Sequence, residues 1–133
     1  DSLETMQKTL DLSLELCTLG WNAYPSMALP GSRLYKHALD INFDLPKTYS
    51  GYSFHAYDTV PLPTEYLTPA QILRFRDEAF TKYHTHEPFL VKVEEKFGKI
   101  ARENIEKMTK IKLKRKLIEE EDEQGITEKS KVS

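Results

Sequence analysis

The stretch P-S-M-A-L-P-G-S-R-L-Y, residues 25–35, restricts the fold of this chain more than any other. A short apolar run meets Pro30-Gly31 and passes at once into a helix start at Ser32. Proline presets the first corner of a tight turn and glycine tolerates a left-handed second corner, so the backbone reverses there. Residues 21–29 read as a strand, irregular or at a sheet edge because Pro25 cannot donate to a ladder. Strand, turn and helix start in succession make a βα unit, and in α/β proteins that junction is where ligands sit. One strand cannot stand alone, and no second β run is evident, so the partner strands are expected in a longer parent.

The remaining signals are helical. Ser2 can cap a helix whose apolar positions Leu3, Met6, Leu10, Leu14 and Cys17 recur at three and four residues, with Gly20 offering a left-handed stop. Leu12, Leu16 and Leu19 lie off that stripe, so this helix calls for cover on more than one side. Ser32 caps a second, short helix that turns Leu34, Tyr35, Ala38 and Leu39 inward and ends near Asp40. In the following stretch, Pro46, Pro61 and Pro63 block helix, and Tyr49, Tyr52, Phe54, Tyr57 and Tyr66 are interleaved with polar residues. That aromatic density argues against disorder and for a loop wrapping its own domain. Thr68, Pro69 and Gln71 form a capping box, and Ile72, Phe75, Ala79, Phe80 and Tyr83 carry the helix to about residue 85. Pro88 opens a helix with Phe89, Leu90, Val93 and Phe97 inward and Gly98 closing it. A long polar helix is expected over 99–121. The expected organisation is a βα portion at 1–41, a wrapping loop at 42–67, a helical extension at 68–121 and a mobile tail at 122–133. The fold class is mainly α with minimal β.

Composition narrows function by exclusion. With 133 residues the chain is expected to form one ordinary domain, and a net charge of -2 gives no global field for nucleic acid or an anionic membrane. The basic run Lys110, Lys112, Lys114, Arg115 and Lys116 is followed by Glu119, Glu120, Glu121, Asp122 and Glu123, and reads as a solvated helix surface with pairs such as Lys116 and Glu120. His84, His86, Glu87 and His55 have a spacing that suits a strand better than a helix end, so no metal ligand is assigned. Asp58, Asp77 and Glu78 could serve general acid-base chemistry, but nothing pairs them, and no P-loop, nucleophile elbow or zinc signature is present. No catalytic residue is assigned. The single cysteine, Cys17, reads as a small core residue in a reducing compartment, which points to the cytoplasm. No apolar run approaches the roughly 20 residues of a membrane span. The opening on Asp1, without methionine, fits processing or a piece of a longer protein.

The stretch at 25–35 resembles the sixth-strand segment of radical SAM proteins, where a strand leads to a Pro-Gly-Thr/Ser turn and a Leu-Tyr pair. The likeness continues through S-G-Y-S-F-H-A-Y-D (50–58), P-L-P-T-E-Y-L (61–67) and F-R-D-E-A-F (75–80), and covers residues 3–117. Together these resemble the C-terminal part of cobalamin-binding radical SAM enzymes, a group that includes methyltransferases and the anaerobic Mg-protoporphyrin ester cyclase. The resemblance implies one βα unit from the end of a partial TIM barrel plus a helical extension. It also implies a parent that holds a [4Fe-4S] cluster, SAM and cobalamin, and that cleaves SAM reductively to a 5′-deoxyadenosyl radical. Such a cluster needs three thiolates, which Cys17 alone cannot supply, so this chain is expected to carry no cofactor of its own. Asn22, Tyr24 and Ser26 would be one face of the strand and could line the SAM or substrate cavity, while Pro30 and Gly31 shape the turn. The implied partners are the missing cobalamin domain and barrel, with self-association of the fragment through uncovered surfaces. The alternative is a free-standing helical interaction module that uses residues 99–121.

Overall fold

The computed structural model describes residues 1–131, with side chains through residue 125. Among the described residues all regular structure is helical: α1 (Leu3–Leu16), α2 (Arg33–Asp40), a 3₁₀ turn (Tyr49–Tyr52), α3 (Pro69–His84), α4 (Glu87–Phe97), α5 (Lys99–Thr109) and α6 (Lys116–Lys131). The mainly-α expectation holds. The strand over 21–29 does not form, which corrects the βα reading. Its backbone bond to a distant segment, from Leu62 N–H to Ser26 C=O at 2.8 Å, is not a ladder. No helix among the described residues is long and apolar enough to cross a membrane.

Two compact units are present, one of Asp1–Ala23 with Phe75–Lys112, the other of Tyr24–Arg74 with Leu113–Ser133. In the first, Cys17, Tyr83, Phe89, Leu90 and Val93 form a buried cluster flanked by Leu14, Trp21, Ala101 and Ile105. Trp21 stacks on Tyr83 with ring centroids 5.2 Å apart, and the Tyr83 hydroxyl donates to the Thr18 carbonyl at 2.6 Å. A buried phenol thus keeps both its apolar and its polar requirement. Ser2 and Thr5 cap α1 reciprocally. The helix closes at Cys17 (φ 46°) and not at Gly20, because the side chain at 17 is needed in the cluster. Lys92 Nζ then donates to the Cys17 carbonyl at 2.9 Å. A left-handed non-glycine residue costs about 1 kcal/mol, which this burial and bonding offset. Leu12, Leu16 and Leu19, off the stripe, are exposed.

In the second unit, α2 ends in a Schellman arrangement. Phe43 N–H donates to Ala38 C=O and Asn42 N–H to Leu39 C=O, with Asn42 left-handed at φ 53°. Of the four residues read as inward on α2, Ala38 is buried and Tyr35 half-buried, whereas Leu34 and Leu39 are exposed. The capping box at the start of α3 forms as read: Gln71 N–H donates to Thr68 Oγ1 at 3.2 Å, and Thr68 N–H to Gln71 Oε1 at 3.0 Å.

The expected helix over 99–121 is instead two helices. Lys110 caps α5, residues 111–115 are not helical, and α6 starts at Lys116 and runs to Lys131, into the stretch read as tail. Residues 132–133 lie outside the described residues. A single docking helix over 99–121 is therefore absent. Phe97, read as inward on α4, is exposed. Across α4 and α5, Arg102 bonds Glu87, Glu94 and Glu106, an array that raises its pKa above the ordinary arginine value.

His84 lies buried among Phe80, Tyr83 and Phe89, with Nδ1 2.8 Å from the Phe80 carbonyl, an acceptor that requires the proton on Nδ1. Burial lowers its pKa, and the nearby Arg76 charge lowers it further. The unfolded chain therefore binds this proton more readily than the folded one. Stability from the neutral imidazole is complete above the unfolded value of about 6.5 and is lost as pH falls from there towards the lower folded value. The thermal midpoint of the wild type should fall over that interval, and His84→Leu should flatten the profile; an unchanged profile in the variant would refute the assignment.

Candidate functional site

Pro30 and Gly31 make the turn as expected. Ser32 N–H donates to Leu29 C=O at 3.0 Å, and Gly31 has φ 85°, the left-handed second corner of a type II turn with proline at the first. Ser32 Oγ then accepts from Tyr35 N–H and caps α2. The three residues read as one face, Asn22, Tyr24 and Ser26, are all exposed, while the intervening Ala23 and Pro25 are more covered. Two-residue alternation therefore survives without a strand. Asn22 belongs to the first unit, where its Oδ1 accepts from Arg76 Nη2 at 3.0 Å. Arg76, 4% exposed, also donates to the Ala23 carbonyl and to Asp77.

Tyr24 and Ser26 belong to the second unit. The Tyr24 ring meets Phe54 edge-on at 4.8 Å, and Ser26 C=O receives the Leu62 N–H. The turn segment is thereby joined to both halves of the aromatic loop. The loop is closed on itself by Val60 N–H to Gly51 C=O and by Asp58, whose Oδ2 accepts from Ser50 Oγ at 2.7 Å and Thr48 Oγ1 at 3.1 Å. Gly51 is required there, since a Cβ would fall 2.5 Å from Pro46 Cβ.

Arg115 organises this loop. It is 2% exposed, and its Nη1 donates to the carbonyls of Phe54 at 2.7 Å and Ala56 at 3.1 Å. Lys116 N–H adds a bond to Tyr57 C=O, and the Tyr57 hydroxyl donates to Glu119 at 2.7 Å. Further along α6, Glu121 accepts from Thr68 and Asp122 from Arg74. The reading of Arg115 as part of a solvated surface is thus corrected, although Lys116 and Glu120 do pair at 3.6 Å.

The titratable groups of the loop are tuned for holding. The Ser50 hydroxyl, then Thr48 and the Lys116 charge, lower the Asp58 pKa; the bond to Glu119 raises that of Tyr57. Both shifts move away from neutrality, which favours Asp58 as a carboxylate and Tyr57 as a phenol in these bonds. Asp77, another acid-base candidate, is bonded to Arg76. Among the described residues no three His, Cys, Asp or Glu side chains gather to hold a metal ion. The turn and loop expose phenol, hydroxyl and apolar groups, among them Tyr24, Ser26, Leu29 and Tyr49. Sequence reasoning missed Arg115 and Arg76, and the signal for the first was present in K-I-K-L-K at 110–114, an alternation of period two that is not helical.

No family model, curated protein or solved structure matches the chain.

Replacing Arg115 by Met leaves two loop carbonyls without their donor, and should destabilise the chain by about 3 kcal/mol and accelerate amide exchange over 54–57. Denaturant unfolding with exchange mass spectrometry checks this; wild-type protection over 54–57 would refute the role. Gly51→Ala should cost about 1–3 kcal/mol by forcing Pro46 aside, read from the same unfolding curves.

Proposed function

We propose that this chain is the C-terminal, non-catalytic portion of a radical SAM enzyme, cobalamin-dependent, acting in methyl transfer or related radical chemistry. The observation that supports this reading is the joining of three of the resembling motifs, those at 25–35, 50–58 and 61–67. Within the second unit, the turn segment at 25–35 bonds the P-L-P-T-E-Y-L segment through Ser26 and Leu62 and touches the S-G-Y-S-F-H-A-Y-D segment through Tyr24 and Phe54. Motifs distant in sequence thus build one surface, as segments that share a role in a larger enzyme would. Exposed Leu29, Leu34, Leu39 and Ile41 lie in the same unit, and on α1 Leu12 and Leu16 are likewise open. Apolar surface of that extent suits contact with further protein.

On this reading the stretch 21–29 becomes a barrel strand when a neighbouring sheet supplies the ladder. Tyr24 and Ser26 are the candidates within the second unit to face the SAM or substrate cavity. A [4Fe-4S] cluster does not fit the residues present: its three thiolates exceed the single, buried Cys17, and no step of the radical chemistry is assigned to this chain.

Anaerobic reconstitution separates the possibilities. The 133-residue chain should take up no stoichiometric iron or cobalt. The product of the whole reading frame should bind both and release 5′-deoxyadenosine when reduced with SAM. A stoichiometric cluster on this chain alone, or a whole product that binds neither metal, would overturn the proposal.

A further inference from the structure

In the first unit, α5 and the residues just beyond it turn an apolar stripe outward. Ile100, Met108 and Ile111 are all exposed, the two isoleucines by 75% and 73%. The bond from Ile111 N–H to Met108 C=O at 3.1 Å carries the turn on past the end of α5, so all three can be placed on one helical net. At about 100° per residue they fall within an arc of about 80°. Asn104, also exposed, lies inside that arc. Ala101 and Ile105, packed against the core cluster of the unit, border the arc on one side. Exposed Lys107 and Lys110 border it on the other, with Lys99, which pairs with Glu103 at 3.8 Å. Exposed Lys112 follows Ile111 directly. Arg102, with Glu106 and the two α4 carboxylates it also bonds, stands about 160° from the middle of the stripe, on the far side of the helix.

An apolar stripe with lysines along its border and carboxylates turned away is the make-up of a helix that lies in the plane of a lipid–water interface. We propose that this face of α5 is a peripheral docking surface for an anionic lipid bilayer, with Ile100, Met108 and Ile111 entering the interface and Lys107, Lys110 and Lys112 meeting its anionic headgroups. The shape of the face favours lipid over a folded partner. Two strongly exposed isoleucines with an exposed amide between them are protrusions, for which a protein would need two matching sockets, whereas a bilayer yields to each separately. The amide of Asn104 is tolerated at headgroup depth, where water remains, and it keeps the helix from sinking further. The net charge of -2 on the whole chain does not oppose this docking, because screening confines the field of a surface patch to about 8 Å. The proposal concerns the first unit and does not rest on the radical SAM reading.

Cosedimentation of the full chain with vesicles of equal parts phosphatidylglycerol and phosphatidylcholine tests this. The chain should bind them at low salt, and raising the salt to about 0.5 M should release most of it. Vesicles of phosphatidylcholine alone should bind at least about 10-fold more weakly. Ile100→Ser/Ile111→Ser should weaken binding to the anionic vesicles about 10-fold or more. Lys107→Gln/Lys110→Gln should weaken it about 30-fold. All four positions are exposed, so both variants should keep the thermal midpoint of the wild type. Lys8→Gln/Lys36→Gln, an equal change of charge on α1 and α2, should stay within about twofold of wild type. As a second readout, Ile111→Trp should shift its emission to the blue on the anionic vesicles, beyond any change in the wild type, whose one tryptophan is Trp21. A wild type that ignores the anionic vesicles or binds both kinds equally would overturn the proposal. So would an isoleucine variant as tight as wild type, a lysine variant no weaker than the Lys8 and Lys36 control, or a chain that binds polyglutamate or single-stranded RNA in place of vesicles.

Discussion

The second unit depends on one buried guanidinium. A loop containing no regular structure beyond a single 3₁₀ turn has carbonyls that its own backbone cannot satisfy, and burying them unpaired is costly. Arg115 supplies donors to two of them, at Phe54 and Ala56, from within the unit. Both bonds leave one nitrogen, Nη1, whose two N–H groups meet acceptors two residues apart. The segment that follows continues the same role, with Lys116 N–H on Tyr57 and side chains of α6 on Tyr57, Thr68 and Arg74. The aromatic loop is ordered because α6 begins where it does.

Arg76 solves the same problem in the first unit. It bonds the Ala23 carbonyl and the Asn22 side chain, again in a stretch without regular structure. In each unit a buried arginine holds irregular backbone by its carbonyls. Residues 22–26 alternate in exposure although no ladder enforces it.

Much of the local structure was legible. The Thr68–Gln71 box, the turn at Pro30-Gly31 and the start of α4 follow from residue chemistry within four positions, where nothing distant competes. The strand over 21–29 was misread because a strand is a property of two segments, and the sequence of one cannot report the absence of the other. Arg115 was hidden by its neighbours: inside a run of lysines it reads as solvated, and its burial depends on carbonyls some sixty residues away. Cys17 was read correctly as core, but its left-handed backbone was assigned to Gly20. Local preference favours glycine there, whereas packing against Tyr83 and Phe89 decides otherwise. Of the face formed by Asn22, Tyr24 and Ser26, the periodicity was readable and the outward direction was not.

The separation of 61 residues between Arg115 and Phe54 also sets an order of events during synthesis. A chain made from its N-terminus presents the aromatic loop to the cell well before the residue that clasps it has been translated. Until then Tyr49, Tyr52, Phe54 and Tyr57 are tethered only by short-range bonds. The first unit waits similarly, since Trp21 must be held for Tyr83 to arrive. Neither unit can be finished from a single uninterrupted stretch, so the nascent chain carries unclosed aromatic surface until residue 115 has emerged.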